Sequence, residues 1–462
     1  MFSSILNTLN NCFKIPELKS RIGFTVLVLG ICRLASLIPV PGLDGKALAD
    51  YFDSGAGKNA VGGFLGMYSM FTGGGFEHCA VGALGIMPYI SSTIILQLLQ
   101  AVIPFLSKLA REEGGRSKLI QYGRVLTLFL CLGQGWFMSL GFEHASSIFP
   151  NFPAQSLVLI HSLWWYRIQT TVILSTGTIL LMWLGEQITD RGIGNGISLI
   201  ITIGILARLP QAGQGLLDMT KTMNAMGNHA FNLFHFVALL LLLFAVIAGV
   251  VAVTQAERKI PVQYAQRVVG RKMYSGGSSF MPLRVNYSGV MPVIFASAIL
   301  MVPTMMFKFL GGSFHWKVFD ELAIDLERGT FLYLTLYGLM ILFFSYFWVA
   351  TQFNELQISD DMKKSGGYIP GVRPGQATSN YLHRTMSRIT LAGAIFLTII
   401  AVIPIILGNQ MRIPQTVAQF FGGTSLLIMV GVMLDTMRQM ESHLLMRHYD
   451  GFLKKGRLKG RF

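Results

Sequence analysis

The sequence predicts an all-α polytopic membrane protein. Ten transmembrane helices are expected in two pseudo-symmetric, inverted five-helix halves, with one re-entrant segment between the first two spans. Three observations predict this. The 462 residues are 52% hydrophobic and only 13% charged, with a mean hydropathy of +0.54, a composition outside the soluble globular class. Apolar runs of spanning character lie at 24–40, 76–100, 125–142, 168–185, 196–209, 233–253, 288–306, 330–350, 389–407 and 417–436. Two short motifs recur five spans apart.

Residues 1–23 carry Asn, Lys and Glu and lack a continuous apolar core ending in small residues. No cleavable secretory signal is therefore evident, and the first span is expected to direct insertion itself. Before the second span the chain reads GGFLGMYSMFTGGGFEH from Gly62. The stretch 64–72 is too short to cross about 30 Å of hydrocarbon, which needs roughly 20 apolar residues. Backbone that enters a membrane without spanning it must be shielded by protein or line a wet cavity. Gly62 and Gly63 on one side, and Gly73, Gly74 and Gly75 on the other, permit large backbone rotations at little steric cost. The segment 62–75 is expected to be a hinged stopper carrying Phe64, Leu65, Met67, Tyr68, Met70 and Phe71; the alternative is a folded apolar loop.

Charge sets the expected orientation. If the N-terminus is cytoplasmic, 27 of the 37 Lys and Arg fall on that side, 9 on the other, and Arg33 lies within the first span. This is the asymmetry of the positive-inside rule, with both termini cytoplasmic. Trp164, Trp165 and Tyr166 mark an interface just before span four. The resulting division is a cytoplasmic segment 1–23, a first half 24–209, a connection 210–232 on the far side, a second half 233–436 and a basic tail 437–462.

The halves share sequence. Gly85-Ile86-Met87-Pro88-Tyr89-Ile90 in span two matches Gly289-Val290-Met291-Pro292-Val293-Ile294 in span seven. Gly196-Ile197-Ser198-Leu199-Ile200-Ile201 in span five matches Gly423-Thr424-Ser425-Leu426-Leu427-Ile428 in span ten. An odd number of spans per half inverts the second half in the membrane. Ile86, Ile90, Ile197, Ile201, Ile294 and Ile428 thus sit on symmetry-related spans. They are either plain core or lipid-facing residues, or a ring of branched side chains that dewets and stops ions without selecting a cargo by hydrogen bonds.

Function classes drop out by absence. No phosphate loop, zinc-helix or nucleophile-elbow motif is present, and Gly192-Ile193-Gly194-Asn195-Gly196 follows a membrane helix and reads as a helix-breaking turn. An enzyme, a metal site and a bound cofactor are not expected. Cys12, Cys32, Cys79 and Cys131 form no ligand or disulfide pattern. Apart from Arg33, expected to pair structurally or snorkel, the spans hold almost no ionisable group, with His161 and Arg167 near an interface. That scarcity argues against the rival class, a small-solute secondary transporter coupled to ions. Two long connections remain, 254–287 with Arg258, Lys259, Arg267 and Arg271, and 351–388 with Arg373 between Pro370 and Pro374. The prolines preclude regular helix at that tip, and the basic loops are expected to dock anionic partners, including RNA.

The strings ALGIMPYISSTIILQLLQ, GEQITDRGIGNGISLI, YIPGVRPGQ and FGGTSLLI resemble the SecY family, the central subunits of the bacterial protein-translocation channel, and the resemblance covers nearly the whole chain. It implies a ten-helix clamshell in the bacterial cytoplasmic membrane, opening across for unfolded polypeptides and sideways into lipid for signal sequences and apolar helices. The side opening would lie between spans two and seven, where Pro88, Ser91, Ser92, Pro292 and Ser297 are found. The family's pore ring falls on Ile86, Ile197, Ile201, Ile294 and Ile428, Ile90 being added by the repeat alone; its plug falls on 64–72 and its cytoplasmic arginine on Arg373. Implied partners are SecE, SecG, the motor SecA and the translating ribosome. One departure is Gly82, a helical turn before Ile86, where a ring calls for bulk; Val81, Ile90 or the plug would then complete the seal.

Overall fold

The computed structural model describes residues 15–53, 68–69, 71–112, 114–145, 152, 157–211, 213–214, 233–264, 267–269, 272–274, 277–314, 317–326, 329–410 and 424–455. The first-half helices are α1 (Pro16–Ala35), α2 (Gly45–Asp53), α3 (Met87–Val102), α4 (Pro104–Arg111), α5 (Gly115–Glu143), α6 (Leu163–Arg191) and α7 (Gly196–Leu206). The second half holds α8 (Leu233–Gln255), α9 (Met291–Phe314), α10 (Lys317–Asp325), α11 (Phe331–Gln352), α12 (Glu355–Lys364), α13 (Gln376–Gln410) and α14 (Thr424–Lys455). Among the described residues, α1, α3, α5, α6, α7, α8, α9, α11, α13 and α14 meet the ten expected spans. Four stretches, Ser117–Glu143, Leu163–Arg191, Phe331–Lys364 and Gln376–Ile406, are long and apolar enough by themselves to cross a membrane.

Local chemistry explains where the boundaries moved. Helix α1 starts at Pro16, whose fixed φ suits a first turn, and stops at Ala35 although apolar residues run on to Val40. Pro39 and Pro41 forbid its continuation, and the Val40 amide instead donates to the Cys79 carbonyl at 2.9 Å. Ile103 ends α3 in extended conformation (φ −92°, ψ 113°) because Pro104 follows it. Between α6 and α7 the glycine turn is held by side chains: Asn195 accepts from the amides of Ile197 and Ser198 at 3.2 and 3.4 Å. Thr25 of α1 accepts from Ile193, and Gln439 of α14 accepts from Gly194.

The expected span at 76–100 is helical only from Met87 onward; residues 72–86 run as turns around an isolated bridge of Ala80 to Pro39. The repeat survives this correction at the level of the backbone. Gly85 and Gly289 both have left-handed φ, 60° and 63°, and each stands two residues before the methionine that opens its helix, with proline next. Close approach also explains Gly177 on α6, where a β-carbon would lie 2.2 Å from the Val81 carbonyl oxygen.

The 254–287 and 351–388 connections carry regular structure beyond what their basic, proline-bearing sequence predicts. Strands β1 (Glu257–Tyr264), β2 (Arg267–Val269), β3 (Lys272–Tyr274), β4 (Ser278–Arg284) and β5 (Gly367–Tyr368) form two small antiparallel sheets, one ordered β4-β1-β5 and the other β2-β3. Gln263 pairs with Tyr368, so the two connections share a sheet. Ile260, Leu283 and Ile369 pack with Phe353, Leu382 and Met386 in a common core.

Candidate functional site

The largest apolar cluster draws on helices of both halves, and the sequence-selected isoleucines lie within it. Ile86, Ile90, Ile201, Ile294 and Ile428 are at most 4% exposed, and half-buried Ile197 packs against the same cluster. Geometry follows from the helix starts. Ile86 caps α3 and Ile90 lies one turn on, its amide bonded to the Ile86 carbonyl; Ile294 stands in the same relation to Val290 on α9. Helix α7 delivers Ile201 one turn after Ile197, and α14 delivers Ile428 in its second turn. Branched side chains packed in this way offer water no hydrogen bonds, which is the chemistry of a dewetting constriction.

Of the 62–75 segment, Phe71 belongs to this cluster, while Tyr68 packs against it and against a second cluster of Tyr51, Phe52, Phe76, Phe142 and Phe152. Phe64, Leu65, Met67 and Met70 lie outside the described residues. A cavity of about 20 Å³, the size of a single water, is lined by Phe71, Ile86, Ile200, Gly204, Cys32 and Arg33.

Gly82 does not stand one helical turn before Ile86. Because 72–86 is not helical, the residue points elsewhere: its amide donates to Ala35 at 3.0 Å, and a β-carbon there would meet the Ala35 carbonyl at 3.2 Å. Val81 lies against Gly177 of α6. Bulk is absent at 82 because α1 already fills that space.

Helices α3 and α9, expected to part at a side opening, pack against each other. Pro88 and Pro292 are buried in their first turns, and Ser91 is half-buried. The buried hydroxyls are spent within each half: Ser92 donates to the Gly123 carbonyl on α5 at 2.7 Å, and Ser297 to Ile294 on its own helix at 2.8 Å. No polar bond from these serines therefore ties α3 to α9. On the sheet-bearing connections Arg258, Lys259 and Arg373 are exposed, whereas Arg271 and the side chain of Arg267 lie outside the description. The Arg373 carbonyl accepts from Thr378 at 2.9 Å and the Gly375 carbonyl from Ser359 at 2.7 Å, so a bonded, proline-stiffened tip presents the guanidinium.

Ionisable groups were undercounted in the sequence. Arg33 pairs structurally, donating to the Gly73 carbonyl. Arg167 makes a bidentate pair with Glu143, both bonds 3.0 Å, beside Trp164. Missed were Glu77, inside the expected second span, and Arg208 beyond α7; they form a nearly buried ion pair. A lone carboxylate in an apolar run was the available signal. Among the described residues no group of three or more His, Cys, Asp or Glu is placed to hold a metal.

Comparison with known proteins follows the same lines. Solved structures described as a protein conducting channel (TM-score 0.60, 18% identity, 95% of this chain and 94% of that one) and as a SecY whose plug domain stabilizes the closed state and maintains a membrane seal (TM-score 0.59, 18% identity, 95% and 94%) share the fold. So does Sec61 in the canine ribosome-channel complex (TM-score 0.56, 17% identity, 95% and 94%). The fold is thus that of the ten-helix protein-conducting channels. The SecY family profile matches residues 80–437. The SecY translocase subunit of Chlamydia trachomatis is 43% identical, covering 98% of this chain and 99% of that one, and that of Escherichia coli K12 is 40% identical, covering 96% of each. The chain belongs to the SecY family.

Proposed function

We propose that this chain is the subunit through which unfolded polypeptides cross the bacterial cytoplasmic membrane, and from which signal sequences and apolar helices leave sideways between α3 and α9. The observation that carries the reading is the buried isoleucine cluster built from symmetry-related helices of both halves. Such a constriction blocks ions at rest, yet its apolar walls can yield around any side chain. The 62–75 segment closes it, with Phe71 seated in the cluster. Ser92 and Ser297 donate within their own halves, so among the described residues the α3–α9 contact reads as apolar packing that another apolar helix can replace at little cost.

The chain performs no covalent chemistry in this reading. Both termini and the connections 254–287 and 351–388 face the cytoplasm, where Arg258, Lys259, Arg267, Arg271 and Arg373 meet the motor SecA or the ribosome; SecE and SecG complete the membrane complex. Charge complementarity of this kind governs encounter and register. Vesicles reconstituted with the chain, SecE and SecG should take up an unfolded preprotein when SecA and ATP are supplied. Arg373→Glu should lower that uptake by roughly tenfold at equal expression. Wild-type uptake by this variant would remove Arg373 from the docking surface, and uptake by none of the vesicles would remove the channel reading.

A further inference from the structure

Arg208, two residues beyond α7, holds the closing segment on both sides of its glycine hinge. Its Nη2 lies 2.5 Å from Glu77 Oε1, with side chains only 12% and 10% exposed, and donates also to the Ser69 hydroxyl. Ser69 lies within 62–75 and Glu77 just after it. Between them the backbone crosses α7 at glycine on glycine: a β-carbon on Gly73 would stand 2.9 Å from the Gly204 α-carbon. Arg33 of α1 approaches the same turn from the other side, bonded to the Gly73 carbonyl. Two guanidinium groups thus converge on one short turn, and Glu77 is the carboxylate paired with Arg208 there.

We propose that Arg208 and Glu77 determine signal stringency: they form a latch, made only while the plug is seated, that sets how apolar a signal sequence must be to open the channel. The inference rests on reading 62–75 as the plug. A nearly buried pair interacts strongly because little water screens it, and the same pair becomes weak once the cavity fills. Its stabilisation therefore belongs to the closed state alone, and an opening ligand must supply the difference. Removing one partner strands the other charge in an apolar site, which disfavours closure beyond the loss of the bond itself. The latch also lets go abruptly, since the first waters to enter weaken what remains.

The test uses the full chain, reconstituted with its partner subunits, as Glu77→Gln, as Arg208→Gln and as the reversed pair Glu77→Arg with Arg208→Glu. Resting ion conductance in planar bilayers is measured beside uptake of a preprotein whose signal has been made less apolar. Each single variant should raise both by about tenfold or more, and the reversed pair should return both toward wild type. If Arg208→Gln fails to accumulate, the near-isosteric Glu77→Gln decides. Unchanged behaviour of Glu77→Gln, while deletion of 64–72 raises conductance, overturns the latch and leaves the plug standing. A deletion that also changes nothing overturns the plug and the latch together. Raised conductance that the reversed pair does not restore overturns the pairing.

Discussion

Deletion of residues 64–72 should give a channel that leaks ions at rest. The deletion removes Phe71 from the central cluster, where it is 7% exposed, and removes Ser69, one of the two attachments to Arg208. Burial of a phenylalanine side chain is worth about 2 kcal/mol. Loss of that contact alone shifts a closed-to-open balance by ~30-fold. Planar-bilayer recordings of the unstimulated complex should show the rise directly, and conductance equal to wild type would mean that this segment closes nothing.

The double variant Ile201→Gly with Ile428→Gly should open the same balance from the other side. Both residues are at most 2% exposed, on α7 and α14, helices that pack together across the two halves. Each side chain contributes about 2 kcal/mol to a closed cluster that becomes wet on opening. Because neighbours in one cluster are not independent, the combined shift falls below the simple product, on the order of a hundredfold. Glycine also weakens each helix by ~1 kcal/mol, so thermal stability is measured in parallel. Raised conductance at near-native stability supports a constriction; native conductance and native signal selection would place these isoleucines in ordinary packing.

The sequence carried the membrane helices and the internal repeat because both are written in composition and order. The match of GIMPYI to GVMPVI marked the repeat, and the structure adds what the match did not state, left-handed glycines at both 85 and 289. What escaped was set by tertiary contact. The run from 76 to 86 is apolar enough for a helix, yet its amides bond to α1 and its connection, as Gly82 to Ala35 and Val81 to Ile38, and this takes Gly82 out of helical register with Ile86. Glu77 and Arg208 are 131 positions apart in a chain where hydropathy is read locally; only the crossing of Gly73 over Gly204 brings them together. The pairing of β1 with β4 was not legible: Ile260 and Val262 alternate with exposed neighbours in the structure, but Pro261 and the surrounding charge obscure that period-two pattern in the sequence.

Crosslinking tests the central claim most directly. A photoreactive residue is placed at Ile201, at Ile428 or at Leu241, which is 65% exposed on α8, and a preprotein is stalled midway through transport. Adducts between the stalled polypeptide and positions 201 and 428, with none from 241, are the predicted result. Adducts absent from both isoleucine positions, or as abundant from Leu241, would contradict passage of the chain through the isoleucine constriction.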